Sequence, residues 1–374
     1  MIKNIKYIGF YSLNNLKYNR TSALSAMSKM DYVSNVLSKL GYKTTIVSPS
    51  WIVGTGLESQ KKINLGEMKQ LVLPPSVGSS NKILNYISII LSQCWLFLLL
   101  LFTTKRNDKI IVYHSPWIVL PILLAKKIRG FKIILEVEEI YKDIQTIHPF
   151  LDTLEQRIFE KADAYIFSTE LLERKLNTSN KPYVVLYGNY EVPITLAKPF
   201  EDGKIHLVYA GIIDSHKAGA FNAIEVAPYL NHKYVIHVLG FGEVDKLQKR
   251  INEINEFSEC KVYYEGIKSG EEYTKFCQSC HIGLSTQNIE GEYVDSSFPS
   301  KILSYMGFGL SVISCNIPCI KVSKLKSLVR YYYSENFSSI AEAIFTVDID
   351  NKNKDFIKEL DLNFEFELKK ILEC

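Results

Sequence analysis

The chain has 374 residues, 47% of them hydrophobic and 22% charged, enough apolar matter for two packed domains and too much for a disordered chain. Its 19 glycines and 12 prolines are too few for a fibrous or linker-rich protein. The net charge of +4 conceals a polarity: residues 1–130 carry 17 Lys/Arg against 4 Asp/Glu, a balance of +13 that leaves the remainder of the chain at −9.

A basic half implies an anionic partner, either acidic lipid or a phosphorylated substrate. Nucleic acid is not expected, because the lysines are scattered between apolar stretches and form no zinc-finger, RNP or basic-helix pattern. The first residues, MIKNIKYIGFYSL, alternate like a strand and lack the long apolar region and cleavage site of a signal peptide. With seven cysteines, an odd number, this favours a reduced cytosolic setting. Cys277, Cys280 and His281 spell CxxCH, and Cys315 and Cys319 form a second close pair. The reading taken is buried reduced thiols, with neither haem nor zinc and no cofactor.

In chain order, Ile5–Ser12 reads as a strand and Ala23–Leu40 as a helix closed by Gly41. Further strands follow at Lys43–Val47, Lys109–His114, Lys132–Val137, Ala164–Ser168 and Tyr183–Leu186, with helices near 117–129, 149–161 and 169–177. Residues 1–190 therefore form one domain, and 191–203, with two prolines and mixed polarity, a linker. A second alternation opens at Lys204: strands at 204–210, 233–238, 260–264, 281–285 and 310–314, and helices at 219–230, 243–255, 270–278, 299–308 and 336–346. Residues 204–352 form the second domain, and 353–374 a closing helix. Strands alternating with helices in both halves predict α/β architecture, two Rossmann-like domains facing a cleft.

Ile83–Phe102 is 20 residues without a charge, flanked by Lys82, Lys105 and Arg106. Its length would allow a transmembrane span. A span here, however, would separate the first strand and helix from the rest of their own sheet. The reading is a helix docked on the inner face of the membrane, with Trp95 and the flanking lysines at interfacial depth.

The second half holds the most informative string, SSFPSKILSYMGFGLSVIS, Ser296–Ser314. Pro299 can occupy a first helical turn, so Ser297, Ser300 and the free N–H groups there would form an anion site with Lys301. Gly211 and Gly240 end strands, and Lys217 stands at the mouth of the next helix. Carboxyl ends of strands are where open α/β sheets bind ligands, which suggests a nucleotide-diphosphate pocket.

The succession LVYAGI–KAG, LGFGE, YYEGIKSGEEYTKFCQSCHIGLS and FPSKILSYMGFGLSVIS resembles the C-terminal domain of GT-B glycosyltransferases, closest to the family-4-like enzymes of bacterial surface-polysaccharide (capsule or O-antigen) assembly. ADAYIFSTELLERKL and VVLYGNY extend the resemblance into the first half. It implies a nucleotide-sugar donor in the second domain, an acceptor in the first, and no metal. Two glutamates that the family carries eight positions apart are replaced by Ser296 and Ser304, and an arginine by Ile212. Asp295, Glu290 or Glu292 would have to supply the carboxylate. Pro299, Lys301 and Tyr305 resemble a subgroup that includes galactofuranosyltransferases.

In the first half, the strand ending Glu136-Val-Glu138-Glu139 brings three acids to an apolar strand end. A carboxylate there could accept a hydroxyl proton. Glu138 is favoured, with Glu139 as alternate, because the resembling enzymes place an acid here. His114 ends the preceding strand and could exchange a proton near neutrality. Asn14, Asn15 and Arg20 follow the first strand, and Arg20 would suit a lipid-linked phosphate. The expected activity is hexosyl transfer from a nucleotide sugar, UDP-linked, with galactofuranose among the candidate sugars, to a polyprenyl-diphosphate-linked glycan at the membrane. A sugar-nucleotide epimerase of the same fold and an inactive glycan-binding subunit remain the alternatives.

Overall fold

The computed structural model describes residues 3–13, 15–216, 218–288, 298–333, 336–349 and 353–373. The chain divides into two compact units, Met1–Tyr187 with Phe364–Cys374, and Gly188–Asn363. The linker predicted at 191–203 belongs to the second unit. There, Gln278 Oε1 accepts from the Leu196 and Ala197 amides while its Nε2 donates to the Ile194 carbonyl.

The first unit is built on an eight-stranded sheet: β1 (Lys3–Ile8), β2 (Tyr42–Val47), β4 (Lys61–Asn64), β5 (Lys69–Leu73), β7 (Lys109–Tyr113), β8 (Lys132–Val137), β9 (Ala164–Phe167) and β10 (Tyr183–Val185). Their spatial order is β10-β9-β8-β7-β1-β2-β5-β4, parallel except for β4 at the edge. The middle strands are near-continuous Ile/Val/Leu runs because helices cover both faces. A separate hairpin-like pair, β3 (Gly56–Glu58) with β6 (Ser76–Gly78), lies outside the main sheet. None of β3 to β6 was predicted, since these strands are only three to five residues long.

Helix α1 (Leu24–Lys39) buries Met30, Val33, Val36 and Leu37 and ends at Gly41, whose φ of 82° and N–H to Ser38 carry out the predicted close. Gly9 lets this helix approach β1: a Cβ there would sit 2.9 Å from both Met30 Sδ and the Tyr113 Cβ. Helix α2 (Lys82–Thr103) is the long apolar segment, and it is long and apolar enough to cross a membrane by length and composition. Of its 22 residues, the buried ones are Ser88, Ser92, Leu96 and Leu100, one stripe at four-residue spacing. Leu96 and Leu100 join the core of the unit, each contributing about 1.5–3 kcal/mol, and the Ser92 hydroxyl donates to the Pro49 carbonyl. The opposite face is exposed and apolar, with Ile90 at 60% and Leu91 at 57% exposure. Helix α2 packs beside α3 (Val119–Arg129), and α4 (Tyr141–Ile144), α5 (Pro149–Lys161) and α6 (Glu170–Leu176) complete the layers.

The second unit carries six parallel strands, β11 (Ile205–Ala210), β12 (Tyr234–Leu239), β13 (Lys261–Tyr264), β14 (Ile282–Ser285), β15 (Ser311–Cys315) and β16 (Val329–Tyr332), ordered β13-β12-β11-β14-β15-β16. Around them lie α7 (Gly219–Ile224), α8 (Val244–Phe257), α9 (Gly270–Ser279), α10 (Lys301–Phe308), α11 (Pro318–Val322) and α12 (Phe337–Thr346). The helix expected at 219–230 stops at Ile224 and resumes as a 3₁₀ turn at Ala227–Tyr229, where Pro228 cannot continue the hydrogen-bond ladder. Helix α13 (Asn353–Glu373) closes the chain, its last residues from Phe364 belonging to the first unit. The six described cysteines are free thiols, Cys94 exposed and the other five buried.

Candidate active site

Among the parallel strands of each sheet the order reverses once: between β1 and β7 in the first unit, and between β11 and β14 in the second. Chains leaving adjacent strands at such a point diverge to opposite faces and open a crevice at the carboxyl ends.

At the first crevice lies a cavity of about 130 Å³ lined by Phe10 after β1, Ser25 and Ala26 from the start of α1, Tyr113, His114 and Ser115 from β7, and Glu138, Glu139 and Tyr141 after β8. The three residues expected to be catalytic, Glu138, Glu139 and His114, are therefore brought together. Glu138 is ion-paired to the buried ammonium of Lys29, which also donates to the Leu186 carbonyl at 2.7 Å. Lys29 sits on the apolar stripe Ala26–Met30–Val33 of α1, a place where a lysine needs an acidic partner. That misplaced lysine is the sequence signal that could have found it.

Behind Glu138, Glu136 is fully buried and accepts from the Tyr7 hydroxyl. Burial pushes its carboxyl up to about 7, with Lys29 opposing and Glu138 adding to the shift. His114 departs from expectation. It is 2% exposed, and burial drags its imidazole down to about 3, so it is neutral at physiological pH and does not exchange a proton there. Its Nε2 lies 3.2 Å from Glu155 Oε1. Burial raises the Glu155 carboxyl to about 7 although the Tyr141 N–H donates to it. The His114 ring packs against Tyr141 and Phe159.

Arg20 is also corrected. Its guanidinium is wholly buried and donates to Glu58 Oε2, to the Ser50 carbonyl at 2.7 Å and to the Pro74 carbonyl at 3.0 Å. It ties the segment after β1 to the β3–β6 pair and has no surface to offer a phosphate. Asn15 is exposed and does not line the cavity, and Asn14 lies outside the described residues.

At the second crevice a cavity of about 260 Å³ is lined by Ala210, Gly211 and Ile212 after β11, Leu239, Gly240 and Phe241 after β12, and Ile267, Lys268 and Tyr273. The two glycine turns touch. Gly240, at φ 143°, has no room for a side chain, since a Cβ would collide with the Gly211 carbonyl oxygen. The Tyr264 hydroxyl donates to the Gly240 carbonyl at 2.8 Å, and the Gly240 amide to Gly266, so the floor is braced from β13. Phe241 and Ile267 stand half-exposed at the rim, a pair of apolar residues that sequence reasoning did not single out.

Lys301 opens α10 and brings its ammonium 3.9 Å from the centre of the Tyr209 ring, where a Cβ on Gly211 would lie 3.3 Å from Nζ. Its charge therefore stands at the carboxyl end of β11. Ser300 is exposed at the helix start, and Pro299 before it is buried and accepts from the Ile302 amide. Tyr305, expected to touch the donor, is instead fully buried: its hydroxyl accepts from the Ala210 amide at 2.8 Å, and its ring fills the space left by Gly283. It holds β11 and β14 in register from beneath. Lys217, Asp295 and Ser297 lie outside the described residues, as do Ser296, Glu290 and Glu292. Among the described residues no cluster of three or more His, Cys, Asp or Glu side chains could hold a metal.

No protein-family model matches this sequence, and no curated protein matches it either. Solved structures do. The sucrose-phosphate synthase of Thermosynechococcus elongatus superposes with a TM-score of 0.68 at 11% identity, covering 99% of this chain and 97% of that one. HepE of Anabaena, in complex with UDP and glucose, superposes at 0.64 and 9% identity, with 99% of each chain covered. The lipopolysaccharide outer core galactosyltransferase WaaB gives 0.60 at 13% identity, covering 98% and 99%. The fold is GT-B. Its two units are the Rossmann-like domains that the alternation of strands and helices predicts.

Proposed function

We propose that this protein is a glycosyltransferase that moves a hexosyl group from a nucleotide sugar, UDP-linked, to a hydroxyl of a lipid-linked glycan in surface-polysaccharide assembly. The observation that carries the reading is the second crevice, where Gly211 and Gly240 expose backbone at the strand ends and Lys301 supplies a cation. An ammonium beside strand ends that carry no side chain suits a diphosphate, and Phe241 and Ile267 offer apolar surface to a base. Structures of the same fold were determined with UDP and glucose and with UDP-2-fluoro glucose, which supports a nucleotide-sugar donor.

In the reaction, the bond from the anomeric carbon to the β-phosphate oxygen breaks and a bond to the acceptor oxygen forms. Glu138 takes the acceptor proton. Lys301 meets the charge that develops on the departing diphosphate. Lys29 fixes the Glu138 carboxylate in position, and His114 stays uncharged beside it.

The acceptor's lipid anchor is supported by the exposed apolar face of α2, together with the basic balance of residues 1–130. An apolar helix face beside lysines binds an anionic interface without spanning it.

A thermal-shift series with UDP, GDP and ADP tests the donor assignment. Nucleotide at 100 times its Kd raises stability by about 2.7 kcal/mol. The reading expects a raised midpoint with UDP that is lost in Lys301→Ala. No shift with any of the three would move the protein to a glycan-binding role.

A further inference from the structure

A second cavity in the first unit, of about 840 Å³, is far larger than the one beside Glu138 and is not used by the proposed reaction. It lies between α3 and α5 at the amino end of β8. Lys132 opens that strand and Glu138 follows its last residue, so about 20 Å of strand separates the cavity from the candidate base. An acceptor's reacting end held here could not reach Glu138.

The lining has two parts. Leu120 and Leu124, 41% and 46% exposed, form an apolar floor on α3. Both belong to a stripe with Trp117 and Ile128, on the side of α3 opposite the buried Val119, Ile122 and Ala125. The rim is cationic: Lys127, Lys132, Arg157 and Lys161. Lys126 is closed off by its ion pair with Asp163, which leaves four cations against the single carboxylate of Glu160. Among the described residues no ion pair engages any of the four. Four side chains of like charge around one apolar hollow repel one another, and an anion seated among them turns that repulsion into attraction. A leucine floor under a cationic rim fits a molecule with an anionic head and a hydrocarbon tail.

We infer that this cavity binds one anionic phospholipid, its phosphate on the Lys127–Lys132–Arg157–Lys161 rim and its first acyl segment on Leu120 and Leu124. The inference rests on the membrane-associated reading and deepens it. Helix α2 supplies non-selective apolar contact, whereas this site selects for headgroup charge. Because α3 packs directly beside α2, a lipid seated here also fixes how the first unit meets the bilayer.

The test uses the full chain and dodecyl phosphate below its micellar concentration, compared by calorimetry with inorganic phosphate and with dodecyl maltoside. Dodecyl phosphate is expected to bind at least tenfold more tightly than either. The paired substitution Arg157→Glu/Lys161→Glu and, separately, Leu124→Asp should each weaken it at least tenfold, with the thermal midpoint retained because all three positions are solvent-exposed. Equal binding of inorganic phosphate would reduce the site to an ion site, and equal binding of the maltoside to an apolar patch; either result overturns the proposal, as does undiminished binding in both variants. Leu91→Glu on α2 separates the two readings. It should abolish sedimentation with phosphatidylcholine vesicles while leaving dodecyl phosphate binding intact. If it leaves sedimentation unchanged, the docking role of α2 fails and the cavity stands or falls on the calorimetry alone.

Discussion

The two crevices occupy the same topological position in their sheets and carry opposite chemistry. In the first unit, whose sequence is strongly basic, the strand ends gather Glu136, Glu138 and Glu139, with Glu155 close behind. In the second, drawn from the acidic remainder of the chain, the strand ends carry bare glycine backbone and Lys301. Net charge and site charge thus point in opposite directions in both units. Net charge speaks to large partners such as a membrane surface, and is spread over exposed lysines. Site charge is set by a handful of groups whose desolvation is offset locally, as Lys29 offsets Glu138. The proposed reaction uses this contrast, with proton acceptance in one crevice and diphosphate stabilisation in the other.

The most severe way to break this division is to remove the base. Glu138→Gln should lower kcat by about 100- to 10,000-fold, measured as UDP release in the presence of acceptor, with nucleotide binding unchanged. If turnover survives, the base is another group and Glu139 is the next to replace. Lys301→Ala should weaken UDP binding by about 10- to 100-fold, the loss of one charge-assisted contact, with the fold intact. Tyr305→Phe sharpens the same point from below. It deprives the Ala210 amide of its buried acceptor and should destabilise the second unit by about 1–3 kcal/mol, read as a lowered Tm, while the charge at Lys301 is untouched.

The smallest effect concerns pH. The folded-state carboxyl of Glu136 is raised to about 7, so the native state holds this proton more tightly than the unfolded chain does. Stability from this group is therefore complete below the ordinary carboxylate range and declines as pH rises toward 7. Glu136→Gln, which still accepts from Tyr7, should raise Tm by a few degrees at pH 8 and leave it unchanged at pH 4. A variant less stable at pH 8 would mean that the carboxylate is ionised and paired with Lys29.

Much of this was legible in the sequence where the signal was local. Alternating apolar runs located the central strands, Gly41 closed its helix, and the acids after β8 and the glycines after β11 and β12 marked the strand ends. What escaped depends on distant partners. Arg20 reads as a free phosphate-binding arginine until Glu58, 38 residues on, is seen to bury it. Tyr305 reads as a ligand contact until Gly283 is seen to make room for its ring beneath β14. His114 reads as a titrating group until burial beside Phe159 and Glu155 removes its charge. Two buried charges left a trace that pattern reading could use: Lys29 and Glu155 each interrupt an otherwise apolar helix face, and a charge on a buried stripe announces a partner elsewhere.

The division between the crevices is tested most directly by titrating UDP calorimetrically into the unaltered protein, Glu138→Gln and Lys301→Ala in parallel with turnover. The account predicts that Glu138→Gln keeps its UDP affinity and loses turnover, and that Lys301→Ala loses UDP affinity by at least tenfold. Equal UDP affinity in the unaltered protein and Lys301→Ala, or a matching loss of affinity in Glu138→Gln, would contradict it.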